Sequence, residues 1–352
     1  MSTPPFDRVV VDPQVLDAQF TREFLERCPG GIPVSESATR PSGRRTVFIT
    51  RELGGFIKPC PCSPGAVRCG YWVLSPVFQC PFRCSYCFLR FYAPDEPLTL
   101  YANLPDAERQ FHAQLQHWEG PVRLGTGEFS DSLALDPWTG HADWLLDLVA
   151  DHPRVILELK TKSDEVAALL KRPAQPNVVV AWSVNPPERV TSDEGGTASL
   201  EKRLAAASAA VAAGYRVAFH FDPVVLAEGW EAAYGELVAR LAAAVPAARV
   251  AWVSLGTLRF PPHFLERWGR TLAGRREYFD ELLPGSDGKL RYLWADRRRA
   301  YRILEGQLRR WGGTGLPVYL CMESPEMWHS AFGHEPLEGE VAAGLTGCAR
   351  RI

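Results

Sequence analysis

The sequence has no stretch approaching 18 consecutive apolar residues, so a helical membrane span is excluded. It has almost no net charge, −2 over 352 residues, and so no global field that would gather nucleic acid non-specifically. No internal repeat is visible, and the only compositional bias is in Ala-rich helical stretches, so a solenoid or disordered tract is not expected. Met1-Ser2-Thr3-Pro4-Pro5 leads into charged sequence with no apolar h-region. A secretory start is therefore not expected, and a cytoplasmic location is.

What the chain does have is cysteine. The nine fall as Cys60, Cys62 and Cys69, then Cys80, Cys84 and Cys87, with Cys28, Cys321 and Cys348 apart. Clustered thiols in a cytosolic chain suggest metal ligands rather than disulfides. Cys80, Cys84 and Cys87 stand in C-x3-C-x2-C spacing, in the run Phe78-Gln79-Cys80-Pro81-Phe82-Arg83-Cys84-Ser85-Tyr86-Cys87-Phe88. Three thiolates on so short a loop can hold three irons of a four-iron, four-sulfur cluster, leaving the fourth open to a small chelating molecule. The set resembles the radical S-adenosylmethionine (SAM) signature, in which the amino and carboxylate groups of SAM complete the ligand set. A zinc knuckle short of one ligand, or three unrelated buried thiols, are the alternatives.

The length suits one large α/β domain with additions, or two domains. Residues 1–70 are rich in Pro, Gly and Arg, with one strand-like run at 46–50, and are expected to form an N-terminal extension. Strand-like runs follow at 71–74, 122–124, 155–159, 178–184, 216–221 and 250–255, with helix-like stretches between them. Apolar runs without alternation, separated by helices, predict parallel strands covered on the outside. Ser199 is placed to cap the helix over 200–213, and Gly214 to stop it. A doubly wound sheet and a partial barrel share this pattern. Polar residues just past the strand ends, with the cysteine loop after the first strand, favour the barrel. The run 317–321 is a candidate last strand. The expected boundaries are 71–260 for the barrel and 261–352 for a C-terminal helical and strand region.

Beyond the cysteines, the chain resembles the spore photoproduct lyase family of radical SAM enzymes over roughly residues 70–310. The resemblance is carried by Gly195-Gly196-Thr197, Leu200-Glu201-Lys202-Arg203, Ala213-Gly214-Tyr215, Asp222-Pro223 and Glu228-Gly229-Trp230-Glu231 with Tyr234. It implies an α/β fold, a partial (β/α)6 TIM-type barrel of the radical SAM type, with a 4Fe-4S cluster, SAM, and hydrogen abstraction from a substrate carbon. Thr161-Lys162 and Ser183 fall where the family places SAM contacts. The chain also departs from the family. Glu128 stands where the lyase carries the cysteine that returns hydrogen to the repaired thymine, although Ser130-Asp131 match. Phe88 follows the last cysteine, where the lyase has tyrosine.

These readings give the candidate site. Cys80, Cys84 and Cys87 are the expected cluster ligands. Tyr86, Glu128, Ser130, Lys162, Ser183 and Asn185 are expected around the cofactor, with Glu128 toward the SAM ammonium group and Lys162 toward its carboxylate. Asp222 and Arg259 are candidate substrate contacts, or a structural pair. Cys321, at the end of the last apolar run, is a candidate hydrogen donor, as Tyr86 is a candidate catalytic aromatic. Cys60, Cys62 and Cys69 allow a second metal, with Cys28 or Cys348 as a distant fourth ligand. Basic residues over 267–310, with Trp294 and Tyr301 among them, suggest contact with DNA or another nucleic acid. An electron donor such as flavodoxin or ferredoxin is an expected partner. A small-molecule or peptide substrate, or a non-catalytic iron–sulfur protein, are the competing functions.

Overall fold

In the computed structural model of the chain, the described residues are 3–261, 263, 264, 266 and 282–349. Two sheets organise them. The larger is a curled half-barrel of eight strands. Its parallel members are Tyr71–Leu74 (β5), Val122–Gly125 (β9), Val155–Thr161 (β10), Val178–Ser183 (β11), Arg216–Val224 (β13), Val250–Thr257 (β14) and Val318–Leu320 (β18). Ile57–Pro59 (β4) adds an antiparallel edge, so the order is β18-β14-β13-β11-β10-β9-β5-β4. The six expected strands and the candidate last strand all pair in parallel.

The reason lies in the apolar runs. Strands β11 and β14 are buried along their whole length, as parallel strands clothed by helices must be. Helices Leu104–Leu115, His141–Val149, Leu200–Ala212 and Trp230–Ala244 fill the crossovers. Ser199 accepts a hydrogen bond from the Lys202 N–H at 3.4 Å, and Gly214 follows the helix at φ 101°. The expected cap and stop are both in place.

The smaller sheet was not legible. Arg8–Val11 (β1), Val34–Glu36 (β2), Thr46–Thr50 (β3), Val77–Phe78 (β6) and Leu98–Tyr101 (β8) pair in the order β2-β1-β3-β8-β6. It has its own core, built on Phe6, Val9, Phe24, Val47, Ile49, Leu98 and Trp138. The N-terminal unit thus draws in strands from beyond residue 70. The chain leaves one sheet at Leu74 and enters the other at Val77, so the cysteine run emerges between the two.

Glycine is required at one close approach inside the barrel. A Cβ on Gly125 would lie 2.1 Å from the Tyr71 hydroxyl and 2.8 Å from the Glu158 carbonyl oxygen. Overpacking of this kind costs about 1–3 kcal/mol. Gly125→Ala is expected to lower the urea midpoint with an unchanged m-value, and an unaltered midpoint would show that the barrel floor is looser than this geometry.

Candidate active site

The cysteine loop is fixed from several sides. Gln79 sits at φ 77°, a left-handed conformation that turns the chain sharply before Cys80. The Ser130 hydroxyl donates to the Gln79 carbonyl at 2.8 Å. The Arg44 guanidinium donates to the carbonyls of Cys80 at 3.3 Å and Phe82 at 3.0 Å. Arg83–Cys84 (β7) pairs antiparallel with Glu194–Gly195 (β12), which sets Cys84 opposite Glu194. Ser85 donates through its N–H and its hydroxyl to Asp193, both at 2.7 Å. Burial pushes the Cys84 thiol up to about 12 and raises Cys80 and Cys87, while Lys162 acts in the opposite sense on Cys84 and Cys87. Cys80 also responds to Cys84 and Cys87, so the three sulfurs share one locality.

The donor set suits a cluster better than a single ion. Among the described residues, no three His, Cys, Asp or Glu side chains converge as single-ion ligands. A tetrahedral ion with metal–sulfur distances of about 2.3 Å would draw its thiolates almost into contact. A four-iron cube holds its cysteines farther apart. Three neighbouring thiols that do not converge on a point fit that larger group.

Behind the loop lies a buried network that the sequence did not disclose. Glu194 and Arg203 have fully buried side chains and pair at 2.5 Å. Arg203 also donates to the carbonyls of Ser183 and Ala198, both at 2.9 Å, and to the Thr197 hydroxyl at 2.7 Å. Tyr86 donates its hydroxyl to Glu194. Asn185 donates to Glu194 at 2.9 Å and accepts from the Tyr234 hydroxyl at 2.8 Å. Burial opposes ionisation of Glu194, yet Lys162, Arg203, Tyr86 and Asn185 together hold its carboxyl below the usual range.

These contacts bear on three of the expected cofactor contacts. Asn185 is wholly buried with its amide committed to the network. Ser183 is buried, and its carbonyl serves Arg203. Ser130 gives its proton to the cysteine-loop backbone. Ser130 and Asn185 thus spend side-chain atoms inside the protein, whereas Ser183 meets Arg203 through its backbone alone. Lys162 does reach the site, with its ammonium 5.8 Å from the centre of the Tyr86 ring.

The barrel interior carries a second chain of charge. Arg123 lies 3.7 Å from Glu158, which meets His220 at 2.5 Å. Burial raises the Glu158 carboxyl, but His220 and Arg123 reverse this and hold it at about 2, while burial lowers His220. Lys160 pairs with Glu128 at 3.9 Å. Alternation along β10 puts Glu158 and Lys160 on one face. Glu128 is thus partnered from within the protein. Asp222 and Arg259 form a two-pronged pair, both contacts 3.0 Å. A Cβ on Gly256 would lie 2.9 Å from both. Cys321 faces the same space, its sulfur 3.8 Å from the Arg259 guanidinium.

The basic stripe is mostly spent internally. Residues 267–281 lie outside the described residues. In helix Trp294–Gly312, Arg297 pairs with Glu323 at 2.6 Å and Arg309 with Glu305 at 3.2 Å. Arg299 pairs with Glu231, and Arg298 donates to the Ser330 carbonyl while lying over Trp294. Tyr301 is fully buried with its hydroxyl on Glu323 at 2.7 Å, so it cannot stack on a base. Arg302 and Arg310 remain exposed.

A half-barrel of parallel strands with three cysteines on the loop after its first strand defines a radical SAM enzyme. The family model described as spore photoproduct lyase matches residues 73–260, a little over half of the chain. The spore photoproduct lyase of Clostridium acetobutylicum is 24% identical over 252 residues, covering 66% of this chain and 73% of that protein. That of a Geobacillus strain is 28% identical over 165 residues, about half of each chain. A solved spore photoproduct lyase complexed with dinucleoside spore photoproduct superposes with a TM-score of 0.76 at 21% identity, covering 90% of this chain and 100% of that one. A doubly substituted form with bound AdoMet and the same dinucleoside gives 0.73 at 20% identity, covering 91% and 99%. The chain belongs to the spore photoproduct lyase family.

The buried carboxylate predicts an acid response. Because Glu158 is held at about 2 in the fold, against about 4.3 in an unfolded chain, its stabilisation is complete above the unfolded value and is lost as pH falls toward 2. Urea midpoints between pH 6 and 2 should therefore fall more steeply for the wild type than for Glu158→Gln. Parallel curves would show that the carboxylate is not held ionised by its neighbours.

Proposed function

We propose that the chain repairs or remodels a nucleic-acid lesion, with Cys80, Cys84 and Cys87 holding a 4Fe-4S cluster and SAM completing it. The reading is carried by three neighbouring thiols on one pinned loop, in a chain of this family. When bound, the cluster and SAM supply one-electron cleavage of the sulfonium and abstraction of a hydrogen atom from a substrate carbon. An external carrier such as flavodoxin or ferredoxin would deliver the electron.

The remaining work falls to the protein's side chains. Lys162 sets a positive charge beside the thiolates and suits the SAM carboxylate. Tyr86 presents an aromatic face held still through Glu194. Lys160 pairs with Glu128 at the barrel wall, where a carboxylate can accept from an ammonium group. The Asp222–Arg259 pair lines the opposite wall and offers polar edges to a substrate. Cys321 sits beside it and is the thiol proposed to return hydrogen, since Glu128 occupies the lyase's donor position. The internal pairing of the arginines in helix Trp294–Gly312 favours a compact lesion or nucleotide over a long backbone footprint.

Anaerobic reconstitution should give about four irons per chain. Alanine at Cys80, Cys84 or Cys87 should abolish SAM cleavage, and full cleavage by any of the three would end the radical SAM reading.

The return step has its own test. In deuterated water the thiol carries deuterium, so product formed from dinucleoside spore photoproduct should be labelled by the wild type. Cys321→Ala should lose that label and give little clean thymine product. Equal labelling by the variant would remove Cys321 from the reaction.

A further inference from the structure

One group of thiols stands outside this site. Residues 60–70 leave edge strand β4 and cross to the far edge of the half-barrel. At one end the Cys60 N–H donates to the Tyr71 carbonyl at 2.9 Å; at the other the Val67 N–H donates to the Glu323 carbonyl, just past β18, also at 2.9 Å. Lys289 donates to the Ser63 hydroxyl at 2.9 Å, which adds a third anchor. The segment is a strap over the open side of the sheet, and it carries three cysteines.

Two of them are neighbours across one proline. The Cys62 N–H donates to the Cys60 carbonyl at 2.8 Å, closing a three-residue turn around Pro61. Such a turn holds its first and third Cα atoms within the roughly 4.4–6.8 Å that a disulfide spans. Both side chains are half-buried and both thiols are free. The thiols lie against each other, so that Cys60 is raised and Cys62 is pushed down to about 7, the latter helped by Arg68 and Lys289. Cys69 is differently placed, with its sulfur accepting from Arg123 at 3.0 Å. Among the described residues, no three His, Cys, Asp or Glu side chains converge here as single-ion ligands.

We infer that Cys60 and Cys62 form a thiol–disulfide exchange site that reacts with small-molecule disulfides such as oxidised glutathione. The Cys62 thiolate attacks one sulfur of the external disulfide, breaks its S–S bond and releases one thiolate. Cys60 then gives up its proton and attacks the Cys62 sulfur, releasing the second. The two protein thiols lose two electrons, the external disulfide gains them, and the two thiol protons leave on the two released thiols. Arg68 and Lys289 favour the thiolate of Cys62, so it is the attacking group and Cys60 the resolving one. The inference is independent of the cluster and of the lesion substrate.

The experiment uses the reconstituted protein, kept anaerobic in glutathione buffers of stepped oxidised-to-reduced ratio, then alkylated and digested with trypsin. Residues 52–68 form one peptide that contains both thiols, since the Lys58–Pro59 bond resists cleavage. That peptide should pass, in a single two-electron transition, from a doubly alkylated form to an unalkylated one two hydrogen atoms lighter than the free dithiol, with iron content unchanged. Cys60→Ser should trap glutathione on Cys62 about tenfold faster than Cys62→Ser traps it on Cys60. Two alkylated thiols at every ratio, a bridge from Cys62 to Cys69, equal trapping rates, or loss of iron in step with the bridge would each overturn the assignment.

Discussion

The site depends on one buried carboxylate. Glu194 pairs with Arg203, accepts from Tyr86 and Asn185, and lies on the short strand that pairs with Cys84. It therefore joins the cysteine loop to the barrel wall and to the helix at Leu200–Ala212. Two charges removed from water are tolerable only when every remaining donor is met. Arg203 satisfies that condition by spending its other N–H groups on Ser183, Ala198 and Thr197. The cost of burial is thereby turned into a requirement for one arrangement, since any shift of the loop would strand a charge.

The same rule governs the barrel interior. Arg123 is set against Glu158, Lys160 against Glu128, and Arg259 against Asp222. Each cation has an anionic partner from another segment of the chain, so the cavity wall is polar without a large net field. A radical intermediate needs such a wall: polar enough to orient a substrate, and poor in loose hydrogen donors. Cys321 lies beside Arg259 on this wall, the placement that the proposed returning step requires.

How much of this could be read from the sequence follows from range. The parallel strands were legible because each is a local apolar run. The cluster loop was legible because its ligands lie within eight residues. Lys162 and Cys321 were read as candidates because they sit at strand ends. The small N-terminal sheet was missed because β6 and β8 are short and come from either side of the cysteine loop. Glu194 and Arg203 were passed over because a charged residue in a loop or on a helix looks solvated until its partner is known. The Asn185 contacts were hidden for the same reason; its amide is used by side chains that only the fold brings close.

The strap extends the argument from the site to the architecture. A half-barrel leaves two sheet edges open, and open edges must be covered or charged. Here β4 covers one edge, β18 closes the other, and residues 60–70 join them through Tyr71 and Glu323. Covering an edge needs only backbone bonds and a few packed side chains, which Val67 and Cys69 supply against the main core. It does not need two neighbouring thiols at a proline turn, with Arg68 and Lys289 acting on one of them. The strap thus carries chemistry that its structural duty does not explain. It also sets that chemistry near Glu128, whose charge acts on both Cys60 and Cys62. The barrel's closure and its active wall therefore share one electrostatic neighbourhood.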